Sequence, residues 1–141
     1  ATYGDAYLQK RNPVTMEGLV ELTMGGPLPI YNGGLLHARL CYFDTQQCRP
    51  GLPPDVAALV RELHENRTVV ELVNLNGDAP RELHLRGGAF GEHRFIEARW
   101  NEGGRTHQVE PATDTLNVRL APRSSVRLEI GTELYANHPS L

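Results

Sequence analysis

The chain has 141 residues and carries 14 lysines and arginines against 17 aspartates and glutamates, a net charge of −3. That length suits a single domain with a core of its own. The acidic balance argues against a nucleic-acid partner, which needs Lys and Arg clustered on one face. No apolar run approaches the roughly 18 residues of a membrane span. The first ten residues, ATYGDAYLQK, lack the basic and apolar blocks of a signal peptide, so the expectation is a soluble chain, cytoplasmic or exported after removal of a leader.

Residues 1–141 read as one domain, with a helix, loop, strand and helix lead-in over 1–66, sandwich strands over 67–135 and a tail over 136–141. Asn12 and Pro13 supply an N-cap and a first-turn proline, Met16, Leu19, Val20 and Met24 recur at helical spacing, and Gly25 can take the left-handed stop. The pattern predicts a helix over 13–24. Against it, Val14, Met16, Val20, Leu22 and Met24 share a strand parity, and Gly18 costs a helix about 1 kcal/mol relative to alanine.

GGPLPIYNGG follows as an ordered loop, its prolines forbidding regular helix and Asn32-Gly33 favouring a sharp reversal that displays Tyr31 and Asn32. LLHARLCYF alternates Leu36, Ala38, Leu40 and Tyr42 with His37 and Arg39, a strand pattern. A turn at Asp44 and Thr45 then brings Cys41 and Cys48 towards each other on a hairpin. A disulfide and two separate thiols are both open readings there, and C-x6-C is no zinc spacing. Asp55 can cap VAALVRELHE, whose Val56, Leu59, Val60 and Leu63 form a stripe that Asn66 closes, which predicts a second helix.

From residue 68 to 130 the chain becomes a run of short strands, TVVELVNL, RELHLR, EHRFIEARW, TLNVRLAP and SVRLEI, separated by NGDAP, GGAFG and NEGG. Strands of this length and spacing predict a mainly β fold, an antiparallel β-sandwich with one or two short helices packed beside it. Leu116, Val118, Leu120, Val126, Leu128 and Ile130 should face the core, with Asn117, Arg119, Arg127 and Glu129 facing water.

The glycines of GGAFG join two strands and have no GK pair, so they suit positive-φ turns better than a phosphate cradle. The six histidines show no H-x-H or HExxH spacing, and neither a metal nor another cofactor is expected. No carboxylate pair stands out, and Ser124 and Ser125 lack a nucleophile elbow, so no catalytic residue is assigned. Cys41, within an apolar strand, reads as packed. The candidate ligand contacts are Tyr31, Asn32, Phe90, Glu92, His93 and Trp100: rings and polar groups in loops, plus a tryptophan whose shared parity with Ile96 and Ala98 favours the core.

Leu72, Val73, Asn74 and Leu75, then Arg81, Leu83 and Leu85, then Leu120, Pro122, Ser124, Leu128 and Ile130 follow a V-N-L, R-x-L-x-L, L-x-P-x-S pattern. In this the second half of the chain resembles the C-terminal β-sandwich domains of carbohydrate-active enzymes. LTMGGPLPIYNGGLLHARLCYFD, RPGLPPDVAALV and GAFGEHRF are similar to tail regions of larger bacterial proteins of unassigned function. The resemblance implies a non-catalytic accessory module that supports or docks a larger partner domain or subunit. A carbohydrate-binding module, or a small enzyme or metal protein using Glu92-His93, is the alternative. An exposed apolar patch over residues 13 to 31 would favour the partner reading.

Overall fold

The computed structural model describes residues 17–26 and 38–134. In chain order these form α1 (Glu17–Met24), β1 (Leu40–Asp44), β2 (Arg49–Pro50), β3 (Val56–Leu63), β4 (Arg67–Asn74), β5 (Arg81–Gly87), β6 (His93–Glu102), β7 (Arg105–Val109), β8 (Thr115–Leu120) and β9 (Ser125–Leu134). The strands make two sheets, ordered β2-β1-β5-β8 and β3-β4-β9-β6-β7, every pairing antiparallel. This is the mainly β, two-sheet antiparallel architecture that the strand cadence predicts, with one short helix. Pro13 to Met16 of the predicted first helix, and Tyr31, Asn32 and the strand start up to His37, lie outside the described residues.

Period-2 alternation builds the core. Leu83 and Leu85 are buried between exposed Glu82 and Arg86, and they meet Leu40, Leu72, Phe95 and Ile130, each at most 1 % exposed, from both sheets. Burying one such side chain contributes about 1.5–3 kcal/mol. Asn74 is the polar pin of this core. Its side-chain NH2 donates to the carbonyls of Ala79 (3.0 Å) and Ala121 (3.0 Å), and its oxygen accepts the Asn76 amide at 3.0 Å. One buried amide thus ties β4 to the turns flanking β5 and β9.

The predicted helix at 55–66 is a correction: Val56–Leu63 is a strand, β3, hairpinned to β4 through a turn closed by the His64 amide on the Arg67 carbonyl (2.8 Å). Val56 and Ala58 are buried around exposed Ala57, a strand alternation, until a bulge between Val60 and Glu62 shifts the register. Leu59 is an apolar residue on the opposite face, paired with Glu71, and the bulge returns Leu63 to the face of Val56 and Val60, so the four residues imitate a helical stripe. Asp55 caps no helix. It accepts two bonds from Arg81, both 2.6 Å, and one from Asn76 at 2.7 Å, joining the start of β3 to the start of β5 in the other sheet.

A second bulge, between Phe95 and Glu97, takes Ile96 off the face it was expected to share, while Ala98 and Trp100 keep that face together. Phe95 and Ala98 face the core, Ile96 is turned out to solvent, and Trp100 is half-buried. β7 is a strand the sequence reading passes over. It consists of RTHQV, exposed at every position, and offers no apolar alternation to see.

The two lateral edges of the sandwich end differently. At the β1/β3 edge α1 packs against β3, Met24 reaches the core, the Tyr42 hydroxyl donates to the Thr23 carbonyl, and the Arg39 amide donates to the Met24 carbonyl at 2.9 Å. Gly25 ends the helix at φ 67, the left-handed stop predicted for it. At the opposite edge the chain crosses between sheets from β7 to β8. The Phe95 amide donates to the Thr113 carbonyl at 2.7 Å and fastens one corner. Beyond that corner the edge opens.

Candidate functional site

The loop between β5 and β6 holds two of the candidate residues, Phe90 and Glu92, and a third, His93, opens β6. Glu92 turns back on the loop and accepts the amides of Ala89 (3.1 Å) and Phe90 (2.7 Å). Gly88, at φ 83, takes the left-handed backbone conformation that L side chains rarely adopt, and a Cβ there would also push the Glu92 carboxylate aside. Arg86 adds a second brace, donating to Asp114 at 3.1 Å and to the Phe90 carbonyl at 3.2 Å. What the braced loop presents is the Phe90 ring, 70 % exposed.

Electrostatics follow from this bracing. Burial opposes ionisation of Glu92, but the amides of its own residue, Phe90 and Ala89, with His93 beside them, hold its carboxyl below the ordinary carboxylate range. Burial, then the Arg39 guanidinium, pull the His93 imidazole below its ordinary range against the attraction of Glu92. Burial and Glu92 push the Cys41 thiol up, and its Sγ lies 3.9 Å from the Ala89 carbonyl. That is a packed thiol rather than a nucleophile.

Cys41 and Cys48 are both free. The register pairing Phe43 with Pro50 and Asp44 with Arg49 leaves Cys48 in the connecting turn at φ 51, instead of across the hairpin from Cys41.

Trp100 belongs to another place. It lies seven residues along β6 from His93, about 23 Å by strand rise, so the structure does not bring it together with the Glu92 loop. Trp100 pairs with Leu128 on one side and His107 on the other, and its ring stacks on the imidazole at a centroid distance of 5.3 Å. Its inner face looks into a cleft of about 360 Å³ between the sheets, lined also by Leu116, Val118, Val126 and Leu128, with Asn101 and Ser125 among its polar neighbours. Leu116, Val118 and Val126 carry the core-facing parity assigned to them but are only half-buried, because they stand at this opening.

The outer face of the first sheet carries a row the sequence reading did not assemble. Phe43 lies opposite His84 and His84 opposite Asn117, with ring centroids of Phe43 and His84 6.3 Å apart and an imidazole to Asn117 hydrogen bond. The available signal was parity, since His84 shares a face with Glu82 and Arg86. Strand pairing, which sequence does not give, was needed to align the three.

Among the described residues no three His, Cys, Asp or Glu side chains converge as a metal-binding set, and no helix is long and apolar enough to cross a membrane. The chain matches no family model, no curated protein and no solved structure.

Proposed function

We propose that the chain is a non-catalytic accessory β-sandwich of a larger, carbohydrate-processing protein, and that its work is to dock a partner domain. The observation that carries this is the use made of Glu92. In the densest polar constellation of the chain, the best-placed acid has its oxygens engaged by the Ala89 and Phe90 amides, so it shapes a loop that displays a ring. A general acid or base needs a free oxygen facing a substrate and a pKa near the working pH, and Glu92 is held in the opposite direction. Leu19 and Leu22 on α1, with Leu63 of β3, add exposed apolar side chains near the helix-covered edge, as a docking surface requires.

The test is a turnover assay of the isolated chain over a panel of oligosaccharides, with Glu92→Gln alongside. The expected result is no turnover, and a Glu92→Gln protein that is less stable but otherwise unchanged. Turnover that Glu92→Gln abolishes would overturn the reading.

A carbohydrate-binding reading is second, favoured by Phe43, His84 and exposed Phe90 on or beside one sheet face. Trp100 supports it less, since its ring turns into the apolar cleft instead of joining that face. Saturable sugar binding lost with Phe90→Ala would promote it.

A further inference from the structure

We propose that the edge of β8 and the cleft beneath it receive an extended strand of a partner protein, apolar at alternate positions and acidic on its outward face. This rests on the docking reading above and adds a second docking place, at the edge opposite the exposed Leu19, Leu22 and Leu63. A strand packed by one face contributes every second residue to a cavity. Here Leu116 to Ala121 line the cleft consecutively, so β8 turns its edge to the cleft as well as its inner face. Among the described residues β5 is its single neighbour in the sheet. The Gly87 amide on the Asp114 carbonyl sets the ladder so that Asn117 and Arg119 point their N–H and C=O groups outward, while the Thr115 amide and carbonyl, also outward, bond to the Thr113 hydroxyl at 3.4 and 2.9 Å.

The space beside that edge has the shape of a missing strand. The sheet containing β8 has four strands, one of them two residues long, facing five in the other sheet. The β6–β7 hairpin thereby supplies a floor, and Trp100 and Val126 remain half-exposed on faces that elsewhere in the molecule are covered. A strand laid along β8 would pair with the outward amides and carbonyls of Asn117 and Arg119 and drop alternate side chains onto that floor. The cleft of about 360 Å³ is more than twice the roughly 150 Å³ that an apolar cavity needs to hold benzene, so it has room for two such side chains. A small apolar molecule would fill the space but leave the β8 backbone groups unpaired, which favours a peptide.

Charge sets the polarity of the occupant. The outward row of β8 is Thr115, Asn117 and Arg119, with no acid in it, and Arg119 leans back to Glu82 on β5 at 3.7 Å. A carboxylate on the incoming strand opposite Arg119 completes the row, whereas a cation there is repelled. Among the other described edges, β7 is polar or charged from Arg105 to Gln108, and β3 has α1 packed against it.

The test is selection of random decapeptides displayed on phage against the intact chain, followed by calorimetry and amide hydrogen exchange with the synthesised winners. We expect winners with apolar residues at alternate positions and an aspartate or glutamate between them, binding that slows exchange of alternate β8 amides, and at least tenfold weaker binding to Trp100→Ala. Arg119→Glu changes an exposed side chain and leaves the fold alone, and it should switch the selected acid to a lysine or arginine. No enrichment, winners without alternation, protection of β3 or β7 in place of β8, or a β8-mediated dimer that peptide does not displace would each overturn the proposal. Peptides bound elsewhere leave the accessory-module reading standing, while oligosaccharide turnover removes that reading whatever the peptides do.

Discussion

The two edges of this sandwich solve the same problem in opposite ways. At the β1/β3 edge a helix covers the gap, and the cover is specific: Met24 enters the core, the Tyr42 hydroxyl and Arg39 amide bond to the last carbonyls of α1, and burial raises the Tyr42 pKa above the ordinary tyrosine range. At the β6/β8 edge the described residues fasten one corner, through the Phe95 amide on the Thr113 carbonyl and Arg94 on the Ala112 carbonyl, and past it Trp100, Leu116, Val118 and Val126 are half-buried around a cleft. The same apolar alternation that closes a core therefore leaves a receptive groove when one sheet is a strand short of the other. Local stability should fall from the first edge to the second.

Truncation at the fastened corner should have the largest effect. Phe95 is wholly buried and Phe95→Ala should cost about 3–5 kcal/mol in chemical denaturation, while Val126→Ala at the open cleft should cost about 1 kcal/mol. Equal costs would mean that the cleft is closed in solution. Next comes Asn74→Ala, which strands the carbonyls of Ala79 and Ala121 and the Asn76 amide, and should cost about 2–3 kcal/mol by the same measurement. Tyr42→Phe should cost about 1 kcal/mol, the worth of one hydrogen bond, and should speed amide exchange at Arg39 more than anywhere on β8.

Acid should act through three groups that lie away from the cleft, Asp55, Glu92 and His93. The Asp55 carboxyl is held well below its usual range by Arg81 and Asn76, so the unfolded chain takes up that proton first. Its contribution is full above about pH 4 and disappears as pH falls through the lowered native value. His93, depressed by burial and Arg39, behaves likewise from about pH 6.5 downward. Melting temperature should drop in two stages on acidification, the upper stage lost in His93→Gln and the lower reduced in Asp55→Asn and in Glu92→Gln. A single stage unaffected by any of these substitutions would contradict this assignment.

Much of the fold is legible in the sequence because half-buried strands write their burial into alternate residues. β4, β5, β8 and β9 lie where TVVELVNL, RELHLR, TLNVRL and SVRLEI place them, and Gly25 stops α1 as its position suggests. The failures have physical causes. β3 reads as a helix because Leu59 is apolar on the opposite face and a bulge after Val60 re-spaces Leu63, Ile96 is misplaced by the bulge beside it, and β7 has no apolar face to announce it. The site is less legible for a different reason. Phe90, Glu92 and His93 are neighbours in sequence and stay together, but the Phe43–His84–Asn117 row and the Trp100–Val118–Val126 cleft depend on strand order and sheet crossing, which no local pattern encodes.

The difference between the edges can be read directly by amide hydrogen exchange on the chain with nothing added. The outward amides of Asn117 and Arg119 should exchange at rates approaching those of an unfolded chain, while the Leu116, Val118 and Leu120 amides that face β5 and the Arg39 amide at the helix-covered edge remain protected. Uniform protection along β8 would show that its edge is already occupied, contradicting an open edge free to receive a partner strand.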